Sequence, residues 1–168
     1  ELMGAMGQIQ ARAGHREVAI RWLERAIQAG QQSTLIGKWQ SLLQTSHYWL
    51  AIEQGDKALA QHDIDGAEKA YRAAQTYDSS DSYALIGLGD VAMARNDAPG
   101  AERFWQKARR LDGTNITAVR RLAGLYRTVS PAREMAFIDT LPADQQRALA
   151  DTIRTLRSDS LRAEADAL

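Results

Sequence analysis

The chain has 168 residues, 45% hydrophobic and 25% charged, and its 21 Lys and Arg balance its 21 Asp and Glu. That is enough apolar material for a core, and the even charge argues against a nucleic-acid partner and a polybasic membrane face, although Arg109-Arg110 and Arg120-Arg121 are local clusters. Absence of cysteine excludes disulfides, thiolate catalysis and cysteine metal sites while leaving the redox compartment open, and no apolar run reaches the ~18–20 residues that span a bilayer.

Glu1-Leu2 falls inside a helical pattern, which predicts a piece of a longer protein with any targeting signal outside it. In residues 1–31, Gly7, Ala19, Leu23 and Ala26 stand 12, 4 and 3 apart and predict a partial helix pair. The same internal spacings return downstream, but from Ala26 to Ala74 the offset is 48 positions. Within the intervening stretch Leu35, Trp39, Leu42, Leu43, Ser46, Trp49 and Leu50 follow 3 and 4 spacing. Residues 33–47 are therefore either a helix extension or an inserted helix. The first alternative is one long helix from Thr34 to Gln61 capped by Ser33, and the second a separate short helix with a break at Gly37 or Ser46.

Next come two abutting units, 48–81 and 82–115. Gly55, Ala67, Tyr71 and Ala74 return 34 residues later as Gly89, Ala101, Trp105 and Ala108. Leu85, Leu88, Gly89 and Ala92 mark one helix of the second unit, and Ala101, Phe104, Trp105 and Ala108 its partner. Asn96-Asp97 supplies the turn and a cap, and Pro99 sits in the first helical turn, where its missing N–H is not needed. A third unit, 116–141, starts in phase with Leu122, Ala123 and Tyr126 and then fails. Met135 and Asp139 stand where a small residue and a ring belong, and Ser130-Pro131 opens a shortened helix ending near Leu141-Pro142. Residues 143–168 are helical and charged, with Leu149, Ile153 and Leu156 on one face and a break near Ser158-Asp159-Ser160. They are expected to cap the degenerate unit.

A 34-residue period with small residues at three positions and a ring at a fourth is the pattern of the tetratricopeptide repeat. The expected fold is all-α: one right-handed superhelical solenoid of helix pairs over residues 1–168, with one extended or extra helix and a degenerate final unit. Two antiparallel helices cross closely only where Gly or Ala stands at the contact, and a ring fills the hole beside it.

No catalytic, cofactor or metal site is legible. Gly87-Leu88-Gly89-Asp90-Val91-Ala92 imitates part of a dinucleotide fingerprint, which works only at a strand-to-helix turn, and here it lies inside a helix. His15, His47 and His62 are too scattered for a metal face, and Asp63 and Asp65 read as residues of a capping turn. The candidate site is a groove along the first helix of each unit. By the register of this repeat its exposed positions are Trp49, Ile52, Asp56 and Leu59, then Tyr83, Ile86, Asp90 and Met93, then Thr117, Arg120, Gly124 and Arg127. The residues singled out for binding are the ring row Trp49 and Tyr83, the carboxylate row Asp56 and Asp90, and Met93, Arg120 and Arg127. Rings beside carboxylates suit a polysaccharide or a peptide with basic and apolar side chains, while simple packing of the two rings between units is the competing reading.

Three stretches carry a more specific resemblance: Lys38-Trp39-Gln40-Ser41-Leu42-Leu43, the run from Ser82 to Arg95, and Arg121 to Arg127 followed by Ser130-Pro131 and Ala136-Phe137-Ile138. The chain resembles the repeat region of the cellulose synthase operon protein C family, along nearly its whole length and including the extra 14 residues and the degenerate unit. The resemblance implies a non-catalytic periplasmic scaffold, tethered to the outer membrane by a β-barrel pore outside these residues, that links the inner-membrane synthase to the pore. The implied partners are other subunits of the cellulose synthase complex, with the β-1,4-glucan chain or peptidoglycan as further candidates and no membrane insertion by these residues. The alternative is a general repeat adaptor that holds a peptide in its groove.

Overall fold

The computed structural model describes residues 1–30, 33–151, 153, 154 and 158. Among them the chain forms nine helices and no strand: α1 (Leu2–Arg12), α2 (Arg16–Ala29), α3 (Ile36–Ala60), α4 (Ile64–Tyr77), α5 (Tyr83–Ala94), α6 (Ala98–Leu111), α7 (Ile116–Val129), α8 (Pro131–Asp139) and α9 (Ala143–Ala148). Consecutive helices pack as pairs, and each pair stacks on the next.

The glycines and rings decide how closely a pair approaches. Tyr71 of α4 is 1% exposed, and its ring lies so near both Gly55 of α3 and Gly87 of α5 that a Cβ at either glycine would overlap it. Trp105 of α6 stands against Gly89 of α5 in the same way and donates its indole N–H to the Ile86 carbonyl at 3.1 Å. Fully buried Ala67, Ala74, Ala101 and Ala108 supply the other close contacts.

The turns repeat as faithfully as the cores. Gly14 (φ 80°), His62 (φ 61°) and Asn96 (φ 60°) occupy the same left-handed position between the helices of three successive pairs. The residue after it flanks the start of the second helix, and in two of the three its carboxylate caps that helix: Asp63 and Asp97 each accept from the backbone N–H three residues on, Gly66 and Gly100, at 2.9 Å. Between pairs, Asp78 and Asp112 accept from the backbone N–H and hydroxyl of Ser80 and Thr114, which holds both carboxyls below their ordinary range. Asp81 accepts from the Tyr48 hydroxyl at 2.6 Å, and at the equivalent place 34 residues on, Asn115 donates to the Ser82 hydroxyl at 2.8 Å. The Tyr48–Asp81 bond ties the middle of α3 to the turn before α5, and the Asn115–Ser82 bond ties the start of α7 to the start of α5.

Residues 36–47 are an extension of α3, which runs unbroken for 25 residues through Gly37 and Ser46. Its start differs from the expectation. The N-terminal flank is Leu35, not Ser33, and the Ser33 hydroxyl instead accepts from the Leu35 N–H at 3.2 Å, closing the turn before the helix. The extension is fixed by Trp39, 4% exposed, which packs with Leu23 and Ala26 of α2 and abuts Gly4 of α1 so closely that a Cβ there would overlap its ring. Inside the extension the hydroxyls of Ser41, Thr45 and Ser46 bond back to the carbonyls four residues earlier at 2.7–3.0 Å, which removes their need for other partners.

The last pair departs at one residue. Ser130 stands where His62 and Asn96 are left-handed, but its φ of −169° and ψ of 151° are extended. Pro131 is the cause, because its ring clashes with an α-region residue before it and forces extended backbone. The result is a nine-residue α8, with the Ser130 hydroxyl accepting from the Arg133 N–H at 3.1 Å. It ends at Asp139, two residues before the expected Leu141. Val119, Ile138, Leu141 and Leu149 form a separate small core there, against which Ile153 packs. The expected Leu156 and the break at Asp159-Ser160 lie outside the described residues.

Candidate binding face

The first helices of the second and third pairs, α3 and α5, lie side by side and bring Trp49 and Tyr83 together. Their ring centroids are 5.5 Å apart at 57°. Tyr83 is 44% exposed and Trp49 half-buried, so the pair is a shared packing contact that still presents ring surface to solvent. The Arg16 guanidinium lies 6.0 Å from the Trp49 ring centre and its Nε 3.1 Å from Glu53. Arg16 and Glu53 were not singled out from the sequence; they join the face because α2 packs against α3, a contact no local spacing reveals.

Two of the expected groove positions are not exposed. Ile52 (6%) lies in the core it shares with Ala84, Leu88 and Val91 of α5, and Ile86 (5%) in the core it shares with Leu122 and Leu125 of α7. The fifth position of a first helix therefore meets the next first helix. Leu59 and Thr117 are half-buried, and Gly124 is exposed.

The carboxylate row has internal partners. Tyr71 donates its hydroxyl to Asp56 at 2.7 Å, and burial, reinforced by this bond, pushes the tyrosine well above its ordinary value. Asp90 accepts two bonds from Arg121, at 2.7 and 2.8 Å, which raises the guanidinium further. The two arrangements are exchanged variants of one site. Where the buried ring is Tyr71, its hydroxyl reaches the aspartate and the next unit offers only Gly87. Where the ring is Trp105, the indole turns to a carbonyl and the next unit offers Arg121 at the position of Gly87. Comparing the units at the 34-residue offset would have exposed this exchange.

Met93 is half-buried against the core of α5, α6 and α7. Arg120 and Arg127 line a recess of about 380 Å³ with Gly124, Leu149 and Asp151, separate from the ring pair. Arg120 donates to the Ala148 carbonyl at 3.5 Å, and Arg127 forms a two-bond pair, 2.7 and 3.0 Å, with Glu134, whose side chain is fully buried. Glu134 is a further residue that sequence reading missed, since a carboxylate on a degenerate helix gives no signal of its burial.

Among the described residues no group of three or more His, Asp or Glu could hold a metal ion, and no helix is long and apolar enough to cross a membrane. The arrangement brings rings and paired charges together on one side of α3 and α5.

No family model matches the chain. Over all 168 residues it is 48% identical to the putative cellulose synthase operon protein C of Escherichia coli O157:H7 and to cellulose synthase operon protein C of Escherichia coli K12, spanning 15% and 14% of those proteins. It is 49% identical over 145 residues, 86% of the chain, to cellulose synthase operon protein C of Salmonella typhimurium, spanning 12% of it. The chain thus spans about one seventh of the length of the first two relatives. Among solved structures, a thermophilic tetratricopeptide-repeat protein of Thermus thermophilus superposes with a TM-score of 0.50 at 16% identity, covering 95% of this chain and 80% of that one. This chain is a tetratricopeptide-repeat solenoid that, along its entire length, is similar to a segment of cellulose synthase operon protein C.

Proposed function

We propose that the chain is a periplasmic scaffold segment of a bacterial cellulose synthesis and export system, holding subunits between the inner-membrane synthase and an outer-membrane pore. The observation that carries this reading is the 48% identity along all 168 residues, irregular parts included, to proteins named for the cellulose synthase operon. A long α3 pinned by Trp39 and repeat-to-repeat ties at Asp81 and Asn115 suit a spacer of fixed shape. The working surface in this reading is the Trp49–Tyr83 pair, half-buried and exposed respectively, flanked by Arg16 and Glu53, with protein subunits as its partners and the glucan chain or peptidoglycan as further candidates.

Trp49→Ala and Tyr83→Ala together in the full-length protein test it. Cellulose recovered outside the cell should fall severalfold while the protein's abundance and its helical circular dichroism stay unchanged. Unaltered export would remove this face from the function, and a collapse of melting temperature on either single change would assign the rings to packing. Titrating the unaltered chain with cellohexaose while following tryptophan fluorescence separates glucan from protein partners, since protein partners alone predict no change at millimolar ligand.

A further inference from the structure

The helices that carry the ring pair also carry three carboxylates, Glu53 and Asp56 on α3 and Asp90 on α5. Two of them have a cation of their own. Glu53 lies 3.1 Å from Arg16, and Asp90 takes both bonds of Arg121. Asp56 is exposed, accepts from the neutral Tyr71 hydroxyl at 2.7 Å, and forms no ion pair among the described residues. Three negative charges therefore face two positive ones, and the surplus sits on Asp56.

The fold bars an internal remedy. The place from which Arg121 reaches Asp90 is held, one unit earlier, by Gly87, where a Cβ would stand 2.4–2.6 Å from atoms of the Tyr71 ring. No longer side chain can start there while Tyr71 fills the core. In the next unit the ring is Trp105, its indole is turned to the Ile86 carbonyl, and the arginine is present. A cation for Asp56 has to come from another molecule.

We propose that Asp56 sets the charge selectivity of the Trp49–Tyr83 face by accepting a lysine or arginine side chain from a protein partner that lays an apolar side chain on the two rings. This rests on that face being the working surface. Asp56 follows Trp49 by seven residues on α3, about two turns or ~10 Å along the same side of the helix. An extended segment covers that distance in about three residues at ~3.3 Å each, so the fitting pattern is an apolar residue and a basic one three positions apart. An acidic segment places like charge against Asp56. A neutral one, the glucan included, covers the carboxylate without pairing it, which costs desolvation with no return.

The probes are the acetylated, amidated tetrapeptide Phe-Ser-Ser-Lys and its reverse, the same two with Glu in place of Lys, and cellotetraose. Each is titrated into the isotope-labelled chain at low salt and followed by NMR at the Gly87 amide and the Trp49 indole N–H. The lysine peptide in its better order should bind about tenfold more tightly than its glutamate counterpart, and the preference should shrink at ~0.5 M salt. Asp56→Asn keeps an acceptor for Tyr71 and should abolish the preference. Asp139→Asn, the same charge change at an exposed residue of α8, should leave it intact. Equal binding of lysine and glutamate peptides would overturn the proposal, as would a preference that survives Asp56→Asn, shifts from cellotetraose alone, or no shift with ~10 mM lysine peptide. The peptide comparison on the unaltered chain decides even if Asp56→Asn proves unstable. In the full-length protein Asp56→Asn should lower exported cellulose severalfold. Full export in Asp56→Asn, with export lost in the Trp49→Ala and Tyr83→Ala double variant, would keep the face and remove the role of Asp56, whereas full export in both would remove both.

Discussion

The two regular pairs, 48–115, and the pair that follows them obey the same rules up to one residue. Helix α7 keeps the buried pattern of α5: Leu122, Ala123 and Tyr126 stand where Leu88, Gly89 and Ala92 stand, and all are inside. The turns then diverge. His62 and Asn96 are left-handed and lead into second helices of 14 residues, whereas Ser130 is extended and leads into nine. The difference teaches that the geometry of a helix pair is decided at its turn as much as at its interface. Pro131 disfavours the left-handed option for its neighbour, α8 is cut to nine residues, a separate core forms around Ile138, and a cavity lined by Phe137, Pro142 and Gln145 lies beside it.

The largest test of this contrast is Tyr71→Ala. A ring held between Gly55 and Gly87 leaves a hole that neither backbone can fill, and Asp56 loses its donor. The loss should be about 3–5 kcal/mol by urea unfolding, the range for emptying a buried aromatic site. Placing a ring at the equivalent position of the degenerate unit, Asp139→Tyr, should change stability by less than about 1 kcal/mol, because that residue is exposed at a helix end. Comparable shifts from the two changes would mean that the degenerate unit is packed like the others.

Next in size is a transplant of the proline. Asp97→Pro should remove the Asp97 N–H bond to the Ala92 carbonyl, remove the cap on Gly100, and drive Asn96 from its left-handed conformation. Together these should cost about 3 kcal/mol or more. Pro131→Asp in the last pair should cost less than about 1 kcal/mol, since proline at a first helical position is favourable but not required. A mild effect of Asp97→Pro would show that the turn merely follows the helices.

How much of this was legible depends on where the information sits. The 34-residue echo gave α4 to α7 because small residues and rings mark contacts at fixed short separations, and the Asp-bearing turns gave the caps of α4 and α6. Trp39 belonged visibly to a helix, but its burial depends on Gly4 and Gly30, which lie in other elements. Ile52 and Ile86 were misplaced on the groove because which side of a first helix is covered depends on the next pair, not on its own period. The Asp90–Arg121 pair spans 31 residues and arises from exchanging Tyr71 for Trp105 and Gly87 for Arg121, visible only when units are compared with each other. The sequence did show where the last pair fails. What it hid was the consequence, a buried Glu134 and an open cavity in place of a ring.

The smallest test uses the left-handed residues themselves. His62 is exposed, with a φ of 61° that costs a side chain carrying a Cβ about 1–2 kcal/mol, whereas glycine occupies that region freely but loses about 0.5–1 kcal/mol of chain entropy on folding. The balance predicts that His62→Gly raises stability by about 0.5 kcal/mol, an increase of a few degrees or less in melting temperature. Gly14, which already occupies the equivalent place in the first pair, shows that the fold accepts it. Ser130→Gly should move the other way. An extended residue before proline gains nothing from left-handed freedom, the unfolded chain becomes more flexible, and the hydroxyl that accepts from the Arg133 N–H is lost, so a decrease of about 1 kcal/mol is expected. Opposite signs at two positions that align in sequence would establish the turn as the point where the regular and irregular pairs part, and equal signs would return the cause to the packing of α8.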